Sequence, residues 1–197
     1  FPAATNRPAV LNPSSSLLQA LTAYLPSHLQ IAGAGLLGDF QFNNTWQFTG
    51  QQISVQSASA LLFNGVKSYI ATMHGCHPIN QIEHCITRIY GQFLYQLDGK
   101  PVMEVIDALY GHQHWRQQST LKELSLGVHC GNKTEPVQEW HYKNRLISGI
   151  LPDEQGIILF EPDLVEGDLV QFMRRDPALI LKSARQNTER LLQEIKD

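Results

Sequence analysis

The sequence has few of the features that mark secreted, nucleic-acid-binding or membrane-spanning proteins. It has only three cysteines, Cys76, Cys85 and Cys130. A small and odd number of cysteines indicates reduced thiols instead of a disulfide framework. No basic block is longer than Arg174-Arg175 and the net charge is -3, so a phosphate-binding surface is missing. No apolar run approaches the roughly 20 residues that cross a bilayer. These absences predict a soluble, cytoplasmic protein with neither nucleic-acid binding nor membrane insertion.

The start of the chain has no initiating methionine and no signal peptide. Its first residues, Phe1 to Asn6, include neither a basic stretch nor an apolar core. We therefore expect a piece of a longer protein or a processed product. The composition, 43% hydrophobic and 17% charged, is that of a globular chain with one domain or two small ones.

Motifs for nucleotide binding, nucleophilic catalysis and structural zinc are missing as well. The run from Gly33 to Gly38 (GAGLLG) matches G-x-G-x-x-G, but an aromatic, turn-like segment follows it instead of a helix. No acidic residue lies between Asp39 and Glu83 to hold a ribose. The sequence contains no G-x-S-x-G elbow, no P-loop and no C-x-x-C pair. We expect neither an enzyme nor a zinc site.

Hydrophobic periodicity predicts an α+β fold of two successive helix-plus-sheet units, mainly antiparallel, with the helices packed on the outside. In the first unit a helix begins among Ser14 to Ser16 and ends at Pro26. A short strand, Leu29 to Ala32, follows it. Alternation from Thr45 onward, an apolar run and the Asn64-Gly65 turn then predict a hairpin whose second strand ends at His74.

The second unit is predicted from a similar series of local signals. An alternating segment runs from Ile86 to Leu97, with a turn or bulge at Gly91, and a helix that Gly111 caps follows Pro101. A strand is predicted from Leu124 to His129, and three more strands between Trp140 and Arg174. A last helix begins at Asp176-Pro177. We expect the three strands to pair as an antiparallel meander. The last helix should bury an apolar side that includes Ile180, Leu181, Ala184, Leu191, Leu192 and Ile195.

The segment from His74 to Pro78 (HGCHP) brings two imidazoles and a thiol together. In an extended strand, residues three apart point to opposite faces, so His74 and His77 converge only if Gly75 or Pro78 turns the chain. Three interpretations stay open: structural histidines, a ligand-contacting site, and ligands for a metal or haem.

Together, the glycine run at 33–38, HGCHP at 74–78, LDGKP at 97–101 and the segment from Asn144 to Asp176 resemble the FIST family of intracellular signal-transduction sensors. That family occurs in bacterial signalling proteins and in some F-box proteins. The resemblance implies that residues 1–85 are the end of the family's N-type region and residues 86–197 the start of its C-type region.

The resemblance also implies a function. It suggests a small-ligand sensor that acts on a separate signalling protein, such as a histidine kinase or a cyclic-di-nucleotide enzyme. The expected ligand contacts are Gly33, Gly35, His74, Cys76, His77 and Arg88. The cofactor is unknown; some family members bind haem and sense nitric oxide, and in that case His74 and then His77 are the expected iron ligands. The alternative is a protein-interaction scaffold of the substrate-recruiting F-box type.

One geometric expectation supports the sensor interpretation. The backbone around Gly75 should fold so that the imidazoles lie beside the bare main chain near Gly33, in a cavity closed to bulk water.

Overall fold

The computed structural model describes residues 13–35, 45–55, 57–111, 115–116, 123–130 and 139–196. The chain divides into two compact units, Phe1–Ser68 and Tyr69–Asp197. Within the described residues there are three α-helices, and every strand pairing is antiparallel. The predicted α+β class is confirmed.

The first unit contains one helix and one small hairpin. Helix α1 spans Ser15–Tyr24 and ends just before Pro26, as predicted. Strands β1 (Gln47–Thr49) and β2 (Gln52–Ser54) pair so that Phe48 lies opposite Ile53. The alternation that begins at Thr45 is therefore confirmed as strand structure.

The predicted hairpin across Asn64-Gly65 is wrong, and so is the strand from Leu29 to Ala32. Residues 57–75 and 29–32 contain no strand, although Gly65 has the positive φ of 73° that a turn requires. Leu61 and Leu62 are 85% and 82% exposed. A continuous apolar run forms a stable strand when other layers of the protein cover both of its faces. Among the described residues, no such layer covers the run that contains Leu61 and Leu62.

The second unit is built around six strands that close into a ring. Its strands are β3 (Cys76–Pro78), β4 (His84–Tyr90), β5 (Phe93–Leu97), β6 (Lys100–Pro101), β7 (Leu124–His129), β8 (Tyr142–Ile150), β9 (Ile157–Leu159) and β10 (Leu169–Arg175). The ring runs β10-β4-β5-β9-β8-β7 and returns to β10. Outside it, β3 pairs with the end of β10, and β6 pairs with β5.

One apolar core joins all six strands of the ring to helix α2 (Val102–Tyr110). Its strand members are Ile86, Leu94, Leu97, Leu124, Leu126, Ile147, Ile157, Leu159, Val170 and Phe172. From α2 it takes Val102, Met103 and Ile106, and Trp115 also lies in it with no exposed surface. Burial of each such large side chain stabilises the fold by about 1.5–3 kcal/mol.

Most of the local predictions for this unit are confirmed. Gly91, with a φ of 56°, turns β4 into β5, and Gly111 ends α2. The alternation predicted over this hairpin is interrupted, because bulges on either side of Arg88 shift its register. As a result Ile86 and Leu94 point into the core, while Thr87 is exposed.

The predicted meander is wrong in its last step. Strand β9 pairs with β8 and β5 instead of with β10. Strand β10 pairs with β7 on one side and with β3 and β4 on the other. Closure of the ring gives both edges of each strand a hydrogen-bonded partner. The stability gained from these long-range pairings outweighs what a pairing of β9 with β10, its neighbour in sequence, would give.

The last helix, α3 (Pro177–Lys196), begins as predicted, since the Asp176 side chain accepts a hydrogen bond from the Ala178 N–H at 2.8 Å. Its predicted apolar side is wrong in part. Leu181, Leu192 and Ile195 are exposed, and the buried positions are Ser183 and Asn187. The physical reason is a buried carboxylate beneath the helix.

Candidate functional site

The chain turns sharply at Gly75, immediately before β3. Gly75 is buried and has a φ of 60°, a region that side chains rarely adopt. A Cβ at this position would lie 2.5 Å from the Ile180 Cα of helix α3. Only glycine therefore allows the turn and the helix to approach this closely.

His74 is held by main-chain groups at both ring nitrogens. Its Nδ1 accepts a hydrogen bond from the Cys76 N–H at 3.0 Å, so the proton of the neutral ring lies on Nε2. Nε2 lies 2.8 Å from the carbonyl oxygen of Glu139 and 3.3 Å from that of Tyr142, and donates to them. These bonds fix the tautomer and the orientation of the ring.

Glu139 is the buried carboxylate under α3. One oxygen accepts from the Gly75 N–H at 2.6 Å, and the other accepts from the Ser183 hydroxyl and the Asn187 amide. Burial would raise the pKa of Glu139, but the hydrogen bonds from Ser183 and Gly75, with the nearby His74, lower it below its ordinary value. The carboxylate is therefore ionised and joins the Gly75 turn to the helix.

Cys76 is the first residue of β3 and is 1% exposed. Its thiol donates to the His74 carbonyl at 3.4 Å and accepts from the Asn144 amide at 3.3 Å. Burial raises the pKa of the Cys76 thiol, against the opposing effects of Ser125 and Arg175. The sulfur is a protonated, packed side chain rather than a reactive thiolate.

Two clefts flank the segment at Glu139 and Trp140. The first, which we name the His74 cleft, has a volume of about 690 Å³ and is lined by Thr72, Met73, His74, Cys76, Cys130, Trp140, Tyr142, Lys143, Asn144, Leu146, Arg175 and Ile180. The second, the His77 cleft, has a volume of about 380 Å³ and is lined by His77, Glu139, Trp140, Leu179, Lys182, Ser183, Gln186, Asn187 and Arg190. The Trp140 side chain belongs to both walls.

The structure thus separates the residues that the sequence grouped together. His74 and Cys76 line one cleft and His77 lines the other, even though the chain turns at Gly75. Arg88 lies on β4, with its guanidinium carbon 5.3 Å from the centre of the Tyr95 ring, and lines neither cleft. Its contact with a ligand stays a prediction.

Asp98, on the turn after β5, pairs with His84 and not with Arg88. Its carboxylate lies 2.7 Å from Nδ1 of His84 and accepts from the Cys85 N–H at 2.8 Å. Gly33 and Gly35 belong to the first unit. Their role as ligand contacts, and the meeting of Gly33 with the imidazoles, stay predictions.

Sequence reasoning missed several residues of the site, above all Glu139. A signal was available in α3, where Ser183 and Asn187 stand four apart beside an apolar stripe and hence on one face. Two polar residues on the buried side of a helix indicate a buried polar partner.

The residues present do not fit a haem. An iron ligand needs a free ring nitrogen, and both nitrogens of His74 are occupied. The His77 ring makes no hydrogen bond within the described part of the chain, but Lys182, Gln186 and Arg190 line its cleft in place of an apolar haem pocket. In that same part of the chain, no group of three His, Cys, Asp or Glu residues could hold a metal ion.

The described helices include none with the length and apolar character that a membrane crossing requires. No curated protein and no solved structure matches this chain significantly. Residues 9–100 match the family model of the FIST N domain, and this range includes all six residues predicted to contact a ligand. A C-type region over residues 86–197, and the boundary after residue 85, stay predictions. Residues 9–100 are therefore similar to the FIST N domain, and this match relates that part of the chain to the FIST family of signal-transduction sensors.

Proposed function

We propose that this chain is a cytoplasmic, non-catalytic module that senses a small ligand in the His74 cleft and acts on a separate signalling protein, such as a histidine kinase or a cyclic-di-nucleotide enzyme. One observation carries the proposal. A wall of the cleft, formed by His74 and the Gly75 turn, is tied to helix α3 through the buried Glu139 carboxylate.

The lining of the His74 cleft suits a small molecule. Its walls include apolar side chains, among them Met73, Leu146 and Ile180, with a few polar groups between them. A concave, largely apolar surface with a small number of fixed polar groups is the usual form of a small-molecule site. The cleft's volume, about 690 Å³, lies within the range of such sites.

Glu139 connects this cleft to the surface of the molecule. A ligand that moves His74 or the Gly75 turn changes the hydrogen bonds on one side of Glu139, and Ser183 and Asn187 of α3 hold the other side. The ligand would then shift the population of two positions of α3. A signalling partner would read the outer face of that helix.

The chemistry of the cleft favours binding over catalysis. A cysteine nucleophile needs a thiolate and an adjacent base, whereas the Cys76 thiol has a raised pKa and both His74 nitrogens already have partners. The haem form of this proposal has no support from either histidine, for the reasons given above.

The test is native mass spectrometry on the protein purified from its cytosol, with two matched variants. Met73 and Ile79 are both 38% exposed, and only Met73 lines the His74 cleft. We expect a small-molecule adduct on the natural chain that Met73→Trp removes by filling the cleft and that Ile79→Trp retains. A chain with no adduct, or an adduct that survives Met73→Trp, contradicts the proposal.

A protein-interaction scaffold is the second candidate, and the exposed apolar residues of α3 favour it. Leu181, Leu192 and Ile195 are 73%, 52% and 55% exposed, and their spacing places them along one stripe of the helix. Under this alternative the protein carries no small molecule and binds a protein partner tightly. Leu192→Glu should then abolish that complex, whereas Met73→Trp should leave it unchanged.

A further inference from the structure

The His77 cleft has a chemical character of its own. On one side Lys182, Gln186 and Arg190 stand four residues apart along α3, so they form a single row that spans two helical turns. His77 of β3 and Trp140 lie among the other residues of the wall. The row presents hydrogen-bond donors of three kinds: an ammonium, an amide and a guanidinium.

Most of these donors have no acceptor in the part of the chain that the structure describes. Across the residues that the structure describes, the side chains of Lys182, Gln186 and His77 take part in no hydrogen bond or ion pair. Glu139 is the one carboxylate among the described lining residues, and both of its oxygens already accept bonds from Gly75, Ser183 and Asn187. The cleft therefore offers unmatched hydrogen-bond donors, and its Lys182 ammonium pairs with no carboxylate among the described residues.

Arg190 lies over the Trp140 ring at the edge of the cleft. Its guanidinium carbon lies 4.1 Å from the centre of the Trp140 ring, a stacking distance. Its Nε is buried without a hydrogen bond and lies 3.7 Å from a Glu194 oxygen. A stacked guanidinium is pre-organised to receive two oxygens of a carboxylate or phosphate group.

We infer that the His77 cleft is a second ligand site, which binds a small molecule through a carboxylate or phosphate group. Arg190 supplies the planar fork, Lys182 a charged donor, and Gln186 and His77 two further donors. A volume of about 380 Å³ suits a small organic anion. The site is separate from the His74 cleft, and Trp140 is the wall between them.

The experiment is isothermal titration of the whole chain with inorganic phosphate and, separately, with succinate, at an ionic strength held constant with sodium chloride. We expect saturable binding of at least one of the two anions. Lys182→Gln should weaken that binding about tenfold, since it removes one charge-assisted hydrogen bond. Arg190→Lys, which keeps the charge and removes the fork, should weaken it by a similar factor.

Arg185→Gln is the matched control. Arg185 is also a cation of α3, but its side chain is 81% exposed, pairs with Glu189 and does not line the cleft. Binding of phosphate alone or of succinate alone identifies the preferred group. Saturable binding of neither anion, or an equal loss in Arg185→Gln and Lys182→Gln, overturns the inference.

Met73→Trp separates this inference from the proposed function. It fills the His74 cleft and leaves the lining of the His77 cleft intact. We expect anion binding to persist in that variant. Loss of anion binding in Met73→Trp would show that the anion enters the His74 cleft, and would also overturn the second site.

Discussion

The two units of this chain use apolar side chains in opposite ways. In the described residues of the first unit only Ser15 is buried, and Phe48 is 72% exposed. In the second unit Leu94, Leu126 and many similar residues have no exposed surface. The difference shows that hydrophobic content does not decide burial, because both units have apolar side chains in abundance.

Sheet closure accounts for the contrast. Strands β1 and β2 have three residues each and form a hairpin on their own, and such hairpins are only marginally stable in water. The six strands of the second unit close into a ring, which leaves no open edge in the ring and places the core beneath α2. Three substitutions test and sharpen this comparison, each measured by denaturant unfolding with hydrogen exchange to locate the change.

The largest effect is expected at Gly75, where the second unit depends on close contact with α3. Gly75→Ala combines a positive φ with a Cβ placed 2.5 Å from the Ile180 backbone. We expect a loss of more than about 4 kcal/mol of stability and rapid exchange in α3. Gly91→Ala has a similar φ of 56° but open space around it, and should cost only about 1–2 kcal/mol. Equal losses would contradict the close approach.

The next effect compares apolar residues of the two units directly. Leu94→Ala leaves a cavity in the core of the second unit and should cost about 3 kcal/mol. Phe48→Ala removes a larger side chain from an exposed position in the first unit and should change stability by less than about 0.5 kcal/mol. A comparable loss in the two variants would show that Phe48 is buried in solution, and the contrast between the units would fail.

The smallest of the three effects tests whether the second unit also depends on its buried polar network. Glu139→Gln weakens the charge-assisted bonds to Gly75, Ser183 and Asn187 and should cost about 2 kcal/mol at pH 7. The pKa of Glu139 is lower in the folded chain than in the unfolded chain. This stabilisation is therefore fully present when the pH is above the unfolded-state pKa of about 4.3. It is lost as the pH falls through the folded pKa, below that value.

The stability difference between the natural chain and Glu139→Gln should therefore stay constant from about pH 7 to about pH 5 and shrink below about pH 4. Glu189→Gln is the control, since this glutamate is exposed and pairs only with Arg185 among the described residues. Its substitution should cost less than about 0.5 kcal/mol. A Glu139→Gln effect that grows as the pH falls would contradict the lowered pKa.

Local signals in the sequence were sufficient for many elements of the second unit. The cap at Asp176, the glycine turns at Gly91 and Gly111 and the strand from Leu124 to His129 all appear where they were predicted. Each depends on residues close together in the chain, and such information is present in a single sequence.

Long-range features could not be predicted in the same way. The pairing of β10 with β4 and β7 depends on which strand edges meet in space. Hydrophobic periodicity indicates where strands lie in the sequence but not which strands pair. Asn64-Gly65 shows the converse, since a strong turn signal produced no hairpin where none of the described residues covers the flanking segments. For the site, the sequence supplied His74, Cys76 and His77 but not Glu139, whose partners lie far from it in the chain.

The position of β10 also affects how the protein acquires its structure. This strand is the last of the ring to be synthesised, and it pairs with β3 and β4 from the start of the unit and with β7 from its middle. Contacts of such large sequence separation make folding slow. Until Arg175 has emerged from the ribosome, β4 and β7 each keep an unpaired edge that another chain can join, so the second unit is open to aggregation during translation until β10 is in place.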